Sequence, residues 1–468
     1  MFDSVHEECG VFGIYDPKGE TDVAHAVYTA LFALQHRGQE SCGIVVNNYG
    51  EISYHRDLGL VPDVFTKEAF DKLGSGQIAV GHVRYSTKAQ AIKANNQPLI
   101  TRHVKGSMAI SHNGNITNAT ALREAHELRG GMFHTTTDTE VIAYTITEQK
   151  LTSNAIEEAI EKTMYKLQGA YSMVIMTTHK LIAVRDPFGY RPLCLGQMPN
   201  GAYVVASESC AFNAIGAEFV RDIMPGEILV IKAKEMKSIT THCGNKPHIC
   251  VFEYVYTARP DSVIEGNSVH RARLRAGQFL WKEHPVDADV VIGVPDSGLD
   301  AALGLSLTSG IPYGIGFIKN KYIGRTFILP TQKERENAVR IKLNVVSETV
   351  KDKRVIMVDD SIVRGTTCAN IVELLRKAGA KEVHMRISSP PFMYPCYYGT
   401  DIDSCDKLIA CRMSLEEIRK TIGVDTLGYL SVDAVNHLAD NGQCTFCDGC
   451  FTGKYPSDPD HKCEHCNR

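Results

Sequence analysis

The sequence predicts an α+β layered domain followed by an α/β domain built on a doubly wound parallel sheet. Three observations predict it. At 468 residues the chain is longer than one ordinary hydrophobic core serves, so two domains are expected. From residue 9 to about residue 240, short β-type runs alternate with turn signals and a few amphipathic helices, the pattern of an α+β layered domain. Past Cys250, apolar strands alternate with helices, as in βαβ units. The polar, Gly- and Pro-containing run Thr240-Thr-His-Cys-Gly-Asn-Lys-Pro247 marks the join, giving expected domains 9–240 and 241–468.

In the first half the β-type runs include Gly43-Ile-Val-Val46, Gln77-Ile-Ala-Val80, Ser107-Met-Ala-Ile-Ser111, Ser172-Met-Val-Ile-Met176 and Ala202-Tyr-Val-Val-Ala206. Helical periodicity falls at about 21–35, 117–129, 138–149 and 154–167. In the second half Asp289-Val-Val-Ile-Gly293 and Val355-Ile-Met-Val358 read as buried parallel strands, and a helix is expected over Cys368 to Gly379.

Hydrophobic content of 44% and charged content of 22% are those of a soluble globular protein. A net charge of −4 gives no attraction to nucleic acid or membrane, and no apolar run is long enough to span a bilayer. Residues Met1 to Glu8 are acidic and lack the regions of a signal peptide, so a cytoplasmic location is expected, with neither nucleic acid nor membrane as partner. Fifteen cysteines are many for such a chain, where disulfides are rare. Cys42, Cys194 and Cys210, in apolar or small-residue surroundings, read as buried residues without chemistry.

The densest signal is Val355-Ile-Met-Val-Asp-Asp-Ser-Ile-Val-Arg-Gly-Thr-Thr367. Two carboxylates, Asp359 and Asp360, stand at the carboxyl end of a strand, where open α/β sheets bind ligands. The N–H groups of Arg364, Gly365, Thr366 and Thr367 lie where a helix begins and suit an anion such as phosphate. Acids beside a phosphate cradle suit a sugar phosphate, because carboxylates accept from ribose hydroxyls. A strand ending in two acids could also be a metal site or a solvated turn. With Ser361 and Arg-Gly-Thr-Thr following, the segment resembles the phosphoribosyl pyrophosphate (PRPP) loop of type I phosphoribosyltransferases. Three segments join it. Ser297, after Asp289–Gly293, is placed for pyrophosphate and, with Asp359 and Asp360, for Mg²⁺. Residues 316–328 offer Lys319, Lys321, Tyr322 and Arg325 among glycines, a composition suited to a cationic lid, though an ordinary basic loop has it too. Tyr256, Arg259 and Asp261 are expected after a strand.

Cys9-Gly-Val-Phe-Gly13 follows an eight-residue leader. Were the Glu8–Cys9 bond cleaved, Cys9 would carry a thiol and an α-amine of pKa about 7.7–8.0, able to act as its base. A buried cysteine near a strand start is the plainer alternative. Gln35-His-Arg-Gly-Gln39, Gly81-His-Val-Arg-Tyr-Ser86, Ser111-His-Asn-Gly-Asn115 and Thr137-Asp-Thr-Glu140 accompany it. Together they resemble the class II, N-terminal nucleophile glutamine amidotransferases, which implies an αββα sandwich over residues 9 to about 235. The resemblance makes Cys9 the nucleophile, Asn113 and the Gly114 N–H the oxyanion hole, Arg84 the partner of the glutamine carboxylate, and Asp138 that of its ammonium group. His36, His82 and His112 are then positioning or core residues.

Both halves in this order, with Cys-Phe-Thr-Gly-Lys-Tyr-Pro456, resemble the glutamine PRPP amidotransferase family. This implies that glutamine, PRPP and water give 5-phosphoribosylamine, glutamate and pyrophosphate, the entry step of purine synthesis. It also implies an internal ammonia channel, purine nucleotide inhibitors and a tetramer. An inactive, PRPP-sensing regulatory paralogue is the rival, and it expects lost catalytic residues. The tail admits two metal sites: Cys447, Cys450, Cys463 and Cys466 resemble a zinc ribbon, whereas Cys250, Cys396, Cys447 and Cys450 resemble the ligands of the family's 4Fe-4S subgroup. The cluster is favoured because leader, Cys250, Cys396 and the final C-x₂-C go together in that subgroup; Cys444 is a rival ligand.

Overall fold

Short apolar runs in the first half become strands with covered faces, and these strands form two stacked sheets. The computed structural model describes residues 9–85, 92–233, 235–320, 343–400, 402, 404–439 and 445–457. Its first strands, in chain order, are β1 Gly10–Tyr15, β2 Ser41–Asn48, β3 Glu51–Leu58, β4 Ile78–Arg84, β5 Leu99–His103, β6 Gly106–Ile116 and β7 Gly169–Thr177. They continue with β8 Leu181–Arg185, β9 Cys194–Gln197, β10 Tyr203–Ala206, β11 Glu218–Asp222, β12 Ile228–Lys232 and β13 Glu235–Ile239. One antiparallel sheet has the order β11-β9-β10-β1-β4-β2-β3, the other β13-β12-β8-β7-β6-β5.

The inner faces meet in one apolar layer, where Val11, Val45 and Val80 of the first sheet pack with Ala109, Val174 and Leu181 of the second. Outside the first sheet lies the helix Val23–Ala33, whose Val27, Ala30 and Leu31 are fully buried against Ile44 and Val46. Its start is fixed by Asp22, whose carboxylate accepts the His25 N–H at 3.1 Å. Outside the second sheet, helices Asp138–Leu151 and Ile156–Met164 bury Ile142, Ile146 and Ile160. Each such side chain contributes about 1.5–3 kcal/mol by leaving water. The layers are αββα, and the expected helices appear within two or three residues of their expected ends.

The second half holds β14 His248–Cys250, β15 Val263–Ile264, β16 Asn267–Ser268, β17 Val290–Gly293, β18 Phe317–Lys319 and β19 Leu343–Val345. After them come β20 Arg354–Asp359, β21 Glu382–Ile387, β22 Thr426–Tyr429 and β23 Thr445–Cys447. A parallel sheet runs β17-β20-β21-β22. Helices Val269–Glu283 and Gly298–Ser309 cover one face around Val291, Ile356 and Val358. Helices Thr366–Lys377 and Leu415–Ile422 cover the other around Ile292, Val355 and Met357. Strands buried on both faces explain the unbroken apolar runs.

One boundary departs from the sequence expectation. The helix after the double acid starts at Thr366 rather than Cys368, because Gly365, at φ 83°, makes the left-handed turn directly before it. Tyr256 comes after β14, which ends at Cys250, and is carried by a π-helical turn, Glu253–Thr257.

Candidate active site

Cys9 is buried immediately before β1. β1 pairs with β4 in the register Gly10↔Val83, which carried one residue further sets Cys9 beside Arg84. The Arg84 side chain is buried, and neither terminal nitrogen has a hydrogen-bond partner among the described residues. The Glu40 carboxyl is close enough to feel its charge, yet neither terminal nitrogen is hydrogen-bonded among the described residues, so the place suits a further anion. On the facing sheet β6 carries Asn113 and Gly114 opposite Ser172 and Tyr171. The Asn113 amide is likewise buried with both polar atoms unpartnered among the described residues. Gly114 has φ 141°, and a Cβ there would lie 2.2 Å from the Ala170 carbonyl oxygen. Only glycine takes that backbone conformation without strain.

His82 and His112 bridge the sheets. His82 Nε2 donates to the His112 carbonyl at 3.0 Å, and burial pushes the His82 imidazole down to about 3, so it stays neutral. The Asp138 carboxylate accepts the Ile116 N–H at 3.1 Å and lies 3.6 Å from His112 Nδ1. Burial alone would raise the Asp138 carboxyl, but His112 and backbone N–H groups outweigh it and hold the group below its ordinary range. His36 Nε2 sits 2.7 Å from Glu208. Sequence reasoning passed over Asn96, whose buried side-chain amide is also unpartnered; the polar run Asn95-Asn-Gln97 before a proline was the available signal.

In the second half Asp359 closes β20, and Asp360 follows with its N–H held by Asp359 Oδ1 at 2.9 Å. Ser297, at the start of helix Gly298–Ser309, turns its hydroxyl onto Asp360, as does Ser361. Both carboxyls are raised, Asp359 by burial and then by the neighbouring charge of Asp360, Asp360 by burial against the pull of those hydroxyls. Arg364, Gly365, Thr366 and Thr367 form the adjoining turn and helix start, with both threonines exposed. Lys319 ends β18 and pairs with Asp296. Lys321, Tyr322 and Arg325 lie outside the described residues, as do the leader, Cys444, Cys463 and Cys466. Arg259 pairs with Asp261 at 2.6 Å and donates to the Ala33 carbonyl of the first half at 3.2 Å.

The structure brings Cys250, Cys396, Cys447 and Cys450 together around one small cavity, closed by Phe252, Tyr190 and Tyr455. Cys250 and Cys447 face each other across the parallel pair β14–β23. The Cys396 sulfur accepts the N–H groups of Tyr398 and Thr400, both at 3.4 Å. Burial pushes the Cys250 thiol up to about 11, and it raises the Cys447 and Cys450 thiols well above their ordinary range. Among the described residues no three His, Cys, Asp or Glu side chains are placed to hold a metal ion. Cys42, Cys194 and Cys210 are buried.

A glutamine amidotransferase domain matches residues 82–214, and a phosphoribosyl transferase domain matches residues 271–388. The amidophosphoribosyltransferase of Methanocaldococcus jannaschii is 49% identical over 465 residues, covering 96% of this chain and 98% of that one. The chain belongs to the amidophosphoribosyltransferase family. The family's Bacillus subtilis member is 47% identical, with 97% of this chain and 95% of that one aligned. A solved structure of the glutamine PRPP amidotransferase of B. subtilis, complexed with ADP and GMP, superposes with a TM-score of 0.89 at 46% identity, over 97% of this chain and 99% of that one. The fold is therefore an N-terminal nucleophile amidotransferase domain followed by a phosphoribosyltransferase domain. No helix among the described residues is long and apolar enough to cross a membrane.

Proposed function

We propose that the chain transfers ammonia from glutamine to PRPP, forming 5-phosphoribosylamine, glutamate and pyrophosphate, the first step of purine synthesis. The observation that carries the glutamine half is the buried Arg84 guanidinium beside Cys9, whose terminal nitrogens have no hydrogen-bond partner among the described residues and suit the glutamine α-carboxylate. The Cys9 thiolate attacks the carboxamide carbon, and the Asn113 amide and Gly114 N–H stabilise the oxyanion. Ammonia leaves, water then attacks the thioester, and glutamate departs with the thiol restored. Asp138, held ionised, takes the glutamine ammonium group. Removal of residues 1–8 would free the Cys9 amine as the base, and the neutral His82 is left a positioning role.

In the other half, Asp359 and Asp360 hold the ribose hydroxyls. The 361–367 turn, from Ser361 through Arg364 and Gly365 to Thr366 and Thr367, holds the 5′-phosphate. Ammonia attacks the ribose C1 as the bond to pyrophosphate breaks. Two buried carboxyls, both raised and without an ion-pair partner among the described residues, suit a divalent cation, with Ser297 beside them. Magnesium bound there would supply charge to offset the departing pyrophosphate. Lys319, Lys321, Tyr322 and Arg325 are proposed as the lid that closes over PRPP and excludes water.

The four converging cysteines suit a 4Fe-4S cluster: they surround one space, and main-chain N–H groups donate to the Cys396 sulfur there. Such a cluster would be structural, tying the chain's end to β14. Domain limits of 9–240 and 241–468, a cytoplasmic homo-oligomer and purine nucleotide inhibitors complete the proposal. The inactive-paralogue alternative has nothing in its favour, since Cys9, Asn113, Asp138, Asp359 and Asp360 are all present. The test is glutamate release with and without PRPP, before and after oxygen exposure, together with N-terminal sequencing. PRPP should stimulate release and the mature chain should begin at Cys9; no stimulation would sink the coupled reaction.

A further inference from the structure

Between the two halves lies a buried run of charge that no role above uses. Arg37 donates through Nε to Glu208 and through Nη2 to Glu253. Glu253 Oε1 also accepts from Arg191 Nη1 at 3.2 Å. The four side chains are between 0% and 1% exposed. Arg37, Arg191 and Glu208 belong to the first half, whereas Glu253 comes from the second. Two guanidinium groups thus share two carboxylates, and Glu253 alone carries the second half's charge into the set.

Both ends of the run reach functional ground. On the glutamine side, the Ser207 hydroxyl accepts the Val11 N–H at 2.9 Å and the Ser207 N–H donates to the Val11 carbonyl at 3.0 Å. That clamp lies two residues from Cys9, and Glu208 is the next residue along from it. Arg37 precedes Gly38, whose Cα is so near the Arg84 main chain that a Cβ would lie 2.5 Å from its carbonyl carbon. Glu208 also accepts from the Ser262 hydroxyl at 2.6 Å and the Arg259 N–H at 2.9 Å, both from the second half. On the other side, Arg191 Nη2 donates to the Tyr398 carbonyl and Thr400 Oγ1, each at 3.1 Å, and Thr400 Oγ1 lies 3.7 Å from Cys250 Sγ.

Burying such a set is rarely the cheapest way to stabilise a fold; packed apolar residues serve as well, and fixing a register is the best-attested use of buried ions. Glu253 also opens a π-helical turn, a local form that recurs at functional sites. From these contacts we infer that Glu253, held between Arg37 and Arg191, is a positioning residue that makes the glutamine site respond to the PRPP half. The 253–262 segment is tied to the PRPP acids by Arg273, which donates to the Tyr254 and Ala258 carbonyls at 2.8 Å and 2.7 Å and whose charge reaches Asp360. A shift of that segment pulls on Arg37 and Glu208 together, and through them on the strands carrying Cys9 and Arg84. The inference rests on the glutamine-plus-PRPP reading above.

The experiment compares the full-length parent with Glu253→Gln, Glu253→Asp and Ser262→Ala, purified without oxygen and checked for equal iron content and melting temperature. Glutamine hydrolysis is measured with and without PRPP, and PRPP amination with added ammonia. Glu253→Gln should keep ammonia-dependent amination within about twofold while PRPP stimulation of hydrolysis falls by about tenfold, a coupling of the usual allosteric size. Glu253→Asp should recover part of it. Ser262→Ala, which strands no charge and stands in for Glu253→Gln should that variant not fold, should lose about threefold. Stimulation that survives in the variants, or both activities falling in proportion, overturns the inference. Absence of PRPP stimulation in the parent overturns the underlying reading, and is thereby distinguished from failure of the inference alone.

Discussion

Cys250 stands directly opposite Cys447 in the parallel pair of β14 and β23, so main-chain hydrogen bonding sets two thiols side by side. The strand partners on the other side of β14 are the carbonyls of Phe188 and Tyr190, which accept from His248 at 2.7 Å and Cys250 at 3.0 Å. First half, second half and chain end therefore meet at this cage.

Protein purified without oxygen should carry about four irons and four acid-labile sulfides per chain. Cys447→Ser should lose both and destabilise the protein by on the order of 3–5 kcal/mol, as loss of a metal site does. The melting temperature should drop by about 6–12 °C or more. Zinc at one equivalent, with no sulfide, would contradict the cluster.

Gly114→Ala tests the oxyanion strand. A side chain there meets the Ala170 carbonyl at 2.2 Å in a backbone region that disfavours L residues, at a strain cost of about 1–3 kcal/mol. Glutamine-dependent synthesis should fall by about 10²-fold or more, the usual consequence of a lost oxyanion donor. Amination with ammonia should persist. Equal loss of both activities would mean that the substitution unfolds the domain instead.

Cys9→Ala and Asp359→Asn should separate the two chemistries. The first should reduce glutamine use by about 10³-fold or more while sparing ammonia use. The second should reduce both activities together, by about 10²-fold, because ribose binding serves either nitrogen source. Asp359→Asn that affects only glutamine use would remove the acids from the PRPP site.

Sequence legibility followed the range of the interaction. Asp359, Asp360 and the Arg-Gly-Thr-Thr turn are contiguous, so strand end, acids and helix start are visible in one line. Cys9 and Asn113 are distant in sequence but sit in short motifs with local chemistry. The Arg37–Glu253 contact spans 216 positions, and nothing in either neighbourhood names the other partner. β14 and β23 have only three residues each, too few to show a period. The family resemblance therefore grouped Cys250 with Cys447, while the strand pairing that sets them opposite each other emerged only from the fold. Gly365 moved the helix start because its left-handed turn is a backbone property that an apolar pattern does not report.

A pH effect should report on the docking of the two halves. Asp222 of β11 accepts N–H groups of Glu265 and Gly266 in the turn between β15 and β16, and its carboxyl is raised from 3.8 to about 7, by burial first and then by the Glu265 charge. Arg185, which pairs with Glu265, offsets part of this. A raised acid binds its proton more tightly in the folded chain than in the unfolded one, so its contribution to stability falls as pH rises from about 4 to about 7 and then levels. Asp222→Asn, a fixed neutral mimic, should remove that slope. The variant's stability advantage over the parent should grow by about 1–3 kcal/mol between pH 5 and pH 8. Melting temperatures of both proteins across that range measure it. A difference that does not change with pH would show that Asp222 is already ionised in the folded protein at pH 5, and that the contact with Glu265 carries no penalty.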